Sequence, residues 1–401
     1  MKIPLFRPAA SAEPTAARLA QSLAGVLRSG TYILGPQVQA LEARLSALLQ
    51  GRETVAVGSG SEALLLAFKS LGIGSAGGGD ALDEVLVPAY TFVACAEAVL
   101  AAGARPVFVD SAPDDFIPMP ADFRKARTPR TRAILAVGLF GDAGGLPELA
   151  DWCRDEGLLL VEDVAQCLGA RDGDATAAGH AGTWGDAAAM SFYPTKTLGA
   201  AGDAGALAFK DPRHADKARL LRNHGYRDGL HRCLGHNSRM DELQACLLHA
   251  ALDDFPASLA RRRAIAARYL AAWSDLPMRL PKDSAGHAWN YFVVQLPGPL
   301  ERGNVAARLA ASGIATRIYY EQPLHLHEAL QPWHGDRGAL PHSERLAGCS
   351  LALPLYPMLD DEEIGYIIDA VRQAARAPGD QHPTTCQPPS RPPSRPAPSP
   401  A

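Results

Sequence analysis

Residues 191–207 read SFYPTKTLGAAGDAGAL. A lysine, Lys196, stands between an apolar, strand-like run (AAAMSFY, ending at Tyr193) and a quick succession of glycines and alanines. Lysines ordinarily occupy solvated helix faces. This one sits in a stretch composed for burial, where small residues let another group come close. A lysine amine becomes a nucleophile when its site favours the neutral form, and it can then form a Schiff base with an aldehyde.

Upstream, a rhythm repeats: a short apolar run, a turn, then a helical pattern. ETVAVG (53–58) precedes SEALLLAFKSLG, EVLVP (84–88) precedes TFVACAEAVLAAG, and RPVFVD (105–110) leads through a loop to ADFRKA. RAILAVG (132–138) precedes LPELADWCRDEG, and LLLVED (158–163) follows. Strands alternating with helices of this length indicate an α/β fold with a mostly parallel central sheet covered on both faces. Ligands gather at the carboxyl ends of such strands. Apolar spacing of i, i+3, i+4 and i+7 predicts two helices before the rhythm begins, at 14–28 and 36–49. After Leu207 the pattern changes. A helical stretch at 258–273 follows Pro256, then come WNYFVVQL (289–296), a helix near 302–312, IATRIYY (314–320) and a final helix at 361–376. The division expected is a large domain at 1–257, a smaller α+β domain at 258–376, and a proline-rich, disordered tail at 377–401.

The bulk numbers fit a globular protein with an ample core: 401 residues, 47% hydrophobic and 20% charged. A net charge of -4 provides no field for nucleic acid or a membrane surface, and no apolar run is long enough to span a bilayer. The seven cysteines are scattered without a CxxC pair, as in a reducing cytoplasm.

Three further stretches fall at strand ends. In VGSGSEALLLA (57–67) a Gly-Ser-Gly-Ser turn opens a helix, where free backbone N–H groups and the helix dipole favour an anion. Ser61 is placed to cap that helix and offer its hydroxyl; such turns also occur simply as caps. In VEDVAQ (161–166) a strand ends on Asp163, a carboxylate that needs a cation if buried, or that caps the next segment if not. Gln166 lies one turn on, and PAYTFVA (88–94) carries Phe92. Pyridoxal phosphate requires a lysine for its aldehyde, an acid for its ring nitrogen, donors for its phosphate and a flat group over its ring. Lys196, Asp163, the 58–63 turn with Ser191, and Phe92 supply all four.

With these motifs assembled, the chain resembles the DegT/DnrJ/EryC1/StrS family of sugar aminotransferases, of the aspartate-aminotransferase fold type I. The resemblance spans residues 1–375 and rests on GSGSEAL, DEVLVPAYTFVA, GARPVFVD, VEDVAQ, the Lys196 stretch, LGHNSRMDELQA, YYEQPLH and LALPLYP. It implies that Lys196 holds the cofactor aldehyde and moves a proton during transfer, and that Asp163 pairs with the pyridinium nitrogen. It also implies Gln166 beside the ring hydroxyl, Phe92 stacked on the ring, and the phosphate held at Gly60, Ser61, Glu62 and Ser191. Asn237 would reach the phosphate of a partner subunit, making a homodimer with shared sites the active unit. Tyr193 and His325 match positions near a sugar nucleotide. Arg239 is a candidate for a carboxylate or phosphate, or else for an ion pair with Asp241 or Glu242. The activity implied is transfer of the amino group of L-glutamate to a nucleotide-linked keto-sugar. LGAAGDAGAL is similar to the version found in members acting at C3. A C4 keto-sugar or keto-cyclitol acceptor, and a regulatory protein that keeps the fold, are the alternatives.

Departures from the family pattern are Thr197 in place of the usual asparagine and a longer, glycine-rich segment at 72–83, expected as a mobile loop near the site. The loop YRDGLHRCLG (226–235) lacks a Lys-Tyr pair. There Arg227, His231 or Arg232 either contact pyrophosphate or are solvated loop charges.

Overall fold

The computed structural model describes residues 1–8, 13–172, 179–282, 286–296, 302–335 and 337–376. The proline-rich tail expected at 377–401 lies outside them. Helices α1 (Glu13–Ser29) and α2 (Pro36–Leu48) precede β1 (Glu53–Val57) and α3 (Gly60–Leu71). Next come β2 (Glu84–Pro88), α4 (Ala94–Ala101), β3 (Arg105–Val109), α5 (Pro120–Ala126), β4 (Thr131–Val137) and α6 (Leu146–Asp155). Then follow β5 (Leu159–Asp163), β6 (Ala187–Ser191), β7 (Gly205–Phe209), α7 (Pro212–Leu221), a small hairpin β8 (Tyr226–Arg227) and β9 (Leu230–His231), and the long α8 (Glu242–Trp273). The chain closes with β10 (Phe292–Gln295), α9 (Arg302–Ala311), α10 (Gln331–His334), α11 (Pro341–Cys349), β11 (Ser350–Leu353) and α12 (Asp361–Arg376).

Seven strands form one sheet in the order β1-β7-β6-β5-β4-β2-β3. Neighbours are parallel except at β7, which runs antiparallel to both β6 and β1. The expected mostly parallel sheet is therefore present, with β5 at its centre. Its strands are almost continuously buried, because helices cover both faces. One apolar layer gathers Phe68, Val99 and Leu135, and the opposite layer gathers Leu41, Leu160 and Phe192. A third cluster, with Trp273, Phe292 and Ile364, surrounds the separate antiparallel pair β10–β11.

Three differences from the sequence reading have local causes. Helix α8 begins at Glu242 and continues through Pro256. Its Leu252, Phe255 and Leu259 serve the sheet core, and Ile265, Tyr269 and Trp273 serve the third cluster, so packing on both sides overrides the proline. IATRIYY makes only isolated bridges, Ile314 to Ile3 and Arg317 to Ala352. The glycine-rich segment 72–83 precedes β2 and so lies at the amino ends of the parallel strands, away from the site. It is tied down there: Asp83 Oδ2 accepts from Gly74 N–H at 3.0 Å and Asp80 N–H at 3.1 Å, and Lys217 Nζ donates to the Gly77 carbonyl at 3.0 Å.

Glu162 secures the entry to β6. It is buried beside Asp163, and its carboxylate accepts from the N–H groups of Gly182 (2.7 Å), Trp184 (2.9 Å) and Gly185 (2.6 Å). Arg52 donates to the carbonyls of Thr183 and Gly185 in the same turn. Replacing Glu162 with Ala strands three N–H donors and should cost about 3 kcal/mol, read as a lowered urea midpoint at unchanged slope.

Candidate active site

Every strand end singled out in the sequence opens on the same edge of the sheet. Asp163 ends β5, Ser191 ends β6, and the turn after β1 opens α3. Here Ser59, not Ser61, is the helix cap: its backbone is extended and its side chain accepts from Glu62 N–H at 3.2 Å. The Glu62 carboxylate turns aside to accept from the Ser238 hydroxyl at 2.8 Å. The N–H groups of Gly60 and Ser61 therefore keep their positive ends for an anion, with Ser191 adjacent. A Cβ on Gly60 would lie 2.5 Å from that of Ser191, so only glycine lets the helix start come this close to β6.

Two of the glycines after Lys196 make room for the chain itself. A Cβ on Gly199 would meet the Pro194 carbonyl oxygen at 2.6 Å, and one on Gly205 would meet the Ser59 carbonyl carbon and oxygen at 2.4 Å. Their missing side chains let backbone pack on backbone. The Lys196 turn is closed by its own N–H donating to the Tyr193 carbonyl at 2.8 Å, and Ala200 N–H returns to the Phe192 carbonyl at 2.7 Å. Lys196 is half-buried, and among the described residues no hydrogen bond or ion pair holds its ammonium.

Asp163 is 8% exposed. Its Oδ1 accepts from Ala165 N–H at 3.0 Å and its Oδ2 receives the Cys95 thiol at 3.3 Å. No cation forms an ion pair with it among the described residues. Burial pushes its pKa up, while the Ala165 N–H, the charge of Lys196 and the Cys95 thiol pull it down. Cys95 carried no role in the sequence reading, because an alanine-rich helix start gives a thiol no distinguishing signal.

Gln166 is fixed at both ends. Its Oε1 accepts from Phe140 N–H at 2.9 Å and its Nε2 donates to the Tyr320 hydroxyl at 3.2 Å. Because the Phe140 N–H must meet an acceptor, the amide can present only its Nε2 side to the cleft. Tyr320 is brought across from the segment before α10: its N–H donates to the Tyr90 hydroxyl at 3.0 Å, and that hydroxyl donates to the Tyr319 carbonyl. Phe92, an apolar ring left 53% exposed, stands 6.1 Å from the Tyr320 ring.

Other expected site residues are placed as follows. Tyr193 is exposed beside the Lys196 turn. Asn237 is exposed, and its Oδ1 accepts from Arg239 Nε at 3.1 Å. Arg239 also donates to Asn223 Oδ1 at 3.3 Å and does not pair with Asp241 or Glu242. Glu242 is instead consumed at the start of α2, accepting from Gly35, Gln37 and Val38 N–H groups. His325 is not brought to the cluster. Its imidazole is buried, bonded through Nε2 to Glu344 at 3.0 Å and packed on His334. Arg227 donates to the Asp216 carbonyl at 3.3 Å, His231 Nδ1 lies 2.9 Å from the His224 carbonyl oxygen, and Arg232 is exposed.

A desolvated carboxylate without a counter-cation among the described residues, a lysine with no partner among them, an exposed ring and an anion-ready helix start, all at the carboxyl ends of the sheet strands, are the four supports pyridoxal phosphate needs. The profile of the DegT/DnrJ/EryC1/StrS aminotransferase family matches residues 15–372. The chain belongs to that family.

Among curated DegT/DnrJ/EryC1/StrS relatives, the dTDP-3-amino-3,4,6-trideoxy-alpha-D-glucose transaminase of Streptomyces venezuelae is 37% identical, over 93% of this chain and 96% of its own. A UDP-N-acetyl-3-dehydro-alpha-D-glucosamine 3-aminotransferase of Acidithiobacillus ferrooxidans is 38% identical, over 92% and 97%. A protein of Geobacillus stearothermophilus named as a pleiotropic regulatory protein is 34% identical, over 94% and 99%. The crystal structure of S. venezuelae DesV in complex with a ketimine intermediate superposes with a TM-score of 0.87 at 38% identity, covering 94% of this chain and 99% of that one. Solved relatives are also known in PLP and PMP forms. This DegT/DnrJ/EryC1/StrS member is thus a pyridoxal phosphate-dependent aminotransferase of fold type I.

Two outcomes follow from the electrostatics. With its folded-state pKa raised, ionised Asp163 destabilises the cofactor-free chain above that pKa, and the penalty vanishes below the unfolded value of about 4. Asp163→Asn should therefore melt at or above the parent at pH 7 when stripped of cofactor, the difference closing as pH falls toward 4. In the loaded enzyme the same change should lower turnover by about 10²–10³-fold, the loss of one partner from a buried charge pair. A stripped variant that melts well below the parent at pH 7 would show that Asp163 is structural.

Proposed function

We propose that the enzyme moves the amino group of L-glutamate to a nucleotide-linked keto-sugar, acting at C3 of a 3-keto-6-deoxyhexose to give a 3-amino sugar. The observation that carries this reading is Asp163, an acid buried at the end of the central strand with no ion-pair partner among the described residues. Bound pyridoxal phosphate supplies a protonated ring nitrogen for that acid and an aldehyde through which the amino group passes between substrates. Lys196 holds the aldehyde at rest. When not holding the aldehyde, Lys196 would be the base that takes the proton from the substrate carbon and returns it during the second half of the reaction. Asp163 keeps the ring nitrogen protonated. Gly60 and Ser61 N–H groups and the Ser191 hydroxyl hold the phosphate, Phe92 covers one ring face, and Gln166 Nε2 donates to the ring oxygen.

Acceptor choice rests on LGAAGDAGAL and on the 3-amino sugars named for the Streptomyces and Acidithiobacillus relatives. Those two differ in nucleotide, dTDP and UDP, at nearly equal identity, so the panel of acceptors must contain both. Tyr193, exposed beside the Lys196 turn, is the candidate for the sugar, and Arg239 the candidate for an anionic group. Asn237 and the exposed Tyr226, Leu230 and Leu234 lie on one projecting segment, which suits a second protomer whose phosphate site Asn237 completes. The six cysteines among the described residues are all free, which supports a cytoplasmic location. The name of the Geobacillus relative favours a second reading, a regulator that keeps the fold.

Visible absorption of the purified holoenzyme, before and after L-glutamate, tests the first half-reaction. The cofactor band should bleach with glutamate and return with a 3-keto-sugar nucleotide, more than tenfold faster than with a 4-keto isomer. Lys196→Ala should lower turnover by about 10³-fold. A band that neither glutamate nor any keto-sugar changes would move the regulatory reading to the front.

A further inference from the structure

We propose that Cys95 is a positioning residue of this site: its thiol proton, donated to Asp163 Oδ2, keeps that carboxylate ionised and turned toward the cofactor's ring nitrogen. The inference rests on the role given to Asp163 above. Cys95 lies in the first turn of α4 and is buried, with its Sγ 3.3 Å from Asp163 Oδ2 and 3.6 Å from Thr91 Oγ1. An ionised carboxylate only accepts hydrogen bonds, so in this contact the thiol keeps its proton and points it at Asp163 Oδ2. Thr91, able to donate to the sulfur, completes a short chain of hydroxyl, thiol and carboxylate. Oδ1 is already held by Ala165 N–H, so the two donors together fix the plane of the carboxylate. They leave lone pairs for one further donor, the ring N–H.

Burial makes the contact consequential. Desolvation favours the protonated acid, and a protonated Asp163 cannot balance a pyridinium. Each donor on the carboxylate opposes that tendency, and a donor to a charged acceptor counts for more than one to a neutral acceptor. Desolvation also raises the pKa of the thiol well above its ordinary value, so Cys95 stays a donor throughout the working range. Its burial rules out a role as an exposed reactive thiol. No other side chain donates to Asp163 among the described residues.

The test uses the full-length holoenzyme and four proteins: parent, Cys95→Ala, Cys95→Ser and Asp163→Asn. The dissociation constant of pyridoxal phosphate is measured by absorbance from pH 4 to 8. In the parent, affinity should fall on the acid side as Asp163 takes up a proton. Cys95→Ala should move that acid limb up by about one pH unit and lower turnover about tenfold at neutral pH, the worth of one hydrogen bond to a charged group. Cys95→Ser, which keeps a donor in place, should restore the parent's limb. Asp163→Asn should show no such limb. If Asp163→Asn retains it, the role of Asp163 fails and the proposal with it. If Asp163→Asn loses the limb but Cys95→Ala leaves it where the parent has it, only the proposal for Cys95 is overturned. Equal displacement in the Ala and Ser variants would assign the effect to packing and also overturn it.

Discussion

The site depends on one unbalanced charge. Asp163 ends β5, the middle strand of seven, flanked by parallel neighbours and covered on both faces, so its carboxylate lies where water is scarce. A buried acid is ordinarily neutralised by a partner or by uptake of a proton. Here the described residues supply donors, the Ala165 N–H and the Cys95 thiol, but no paired cation. Lys196 lies near enough for its charge to be felt at Asp163, yet no ion pair forms. A lysine clamped to that acid would be neither free to hold an aldehyde nor able to carry a proton. The separation keeps both groups available, at a cost in stability that a bound cofactor offsets by mass action.

A second set of contacts joins distant parts of the chain around this charge. Gln166 follows β5, Phe140 follows β4, and Tyr320 arrives from beyond β10, and the Gln166 amide links all three. Tyr90, from the turn after β2, grips the Tyr319–Tyr320 peptide through its hydroxyl. Leu324 N–H then donates to the Ala89 carbonyl at 2.7 Å. The segment 319–325 is thus bound to the sheet edge by polar contacts, one of them from the Gln166 amide whose orientation the Phe140 N–H sets.

Much of this was legible in the sequence. Parallel strands buried on both faces leave short apolar runs that are easy to locate, and the residues just after them share one edge of the sheet. Lys196, Asp163, Ser191, Phe92 and the 58–63 turn all open on one edge. What stayed hidden depends on side-chain direction or long-range contact. Ser59 and Ser61 are equally good caps on paper, and the backbone angle of Ser59 decides between them. Arg239 had two acids within three residues, but Glu242 was already taken by the start of α2, over two hundred residues upstream. His325 turns to Glu344, a partner that no local pattern reveals. The direction of the 72–83 turn follows from which end of β2 it joins.

The glycines around Lys196 show how composition can suggest a site for an incomplete reason. Small residues beside a reactive lysine invite the reading that they clear space for a ligand. At Gly199 and Gly205 the space is filled by the chain itself, by the Pro194 carbonyl and by the Ser59 backbone. Gly60 lies against Ser191 in the same way. Each allows a backbone approach that any Cβ would forbid, and together they bring the Lys196 turn, the end of β6 and the start of α3 into direct contact. A lysine on a freely moving loop would lose much of the advantage of being near its partner. Close backbone packing removes that freedom, so the glycines hold the Lys196 turn and the anion-ready N–H groups at a fixed separation.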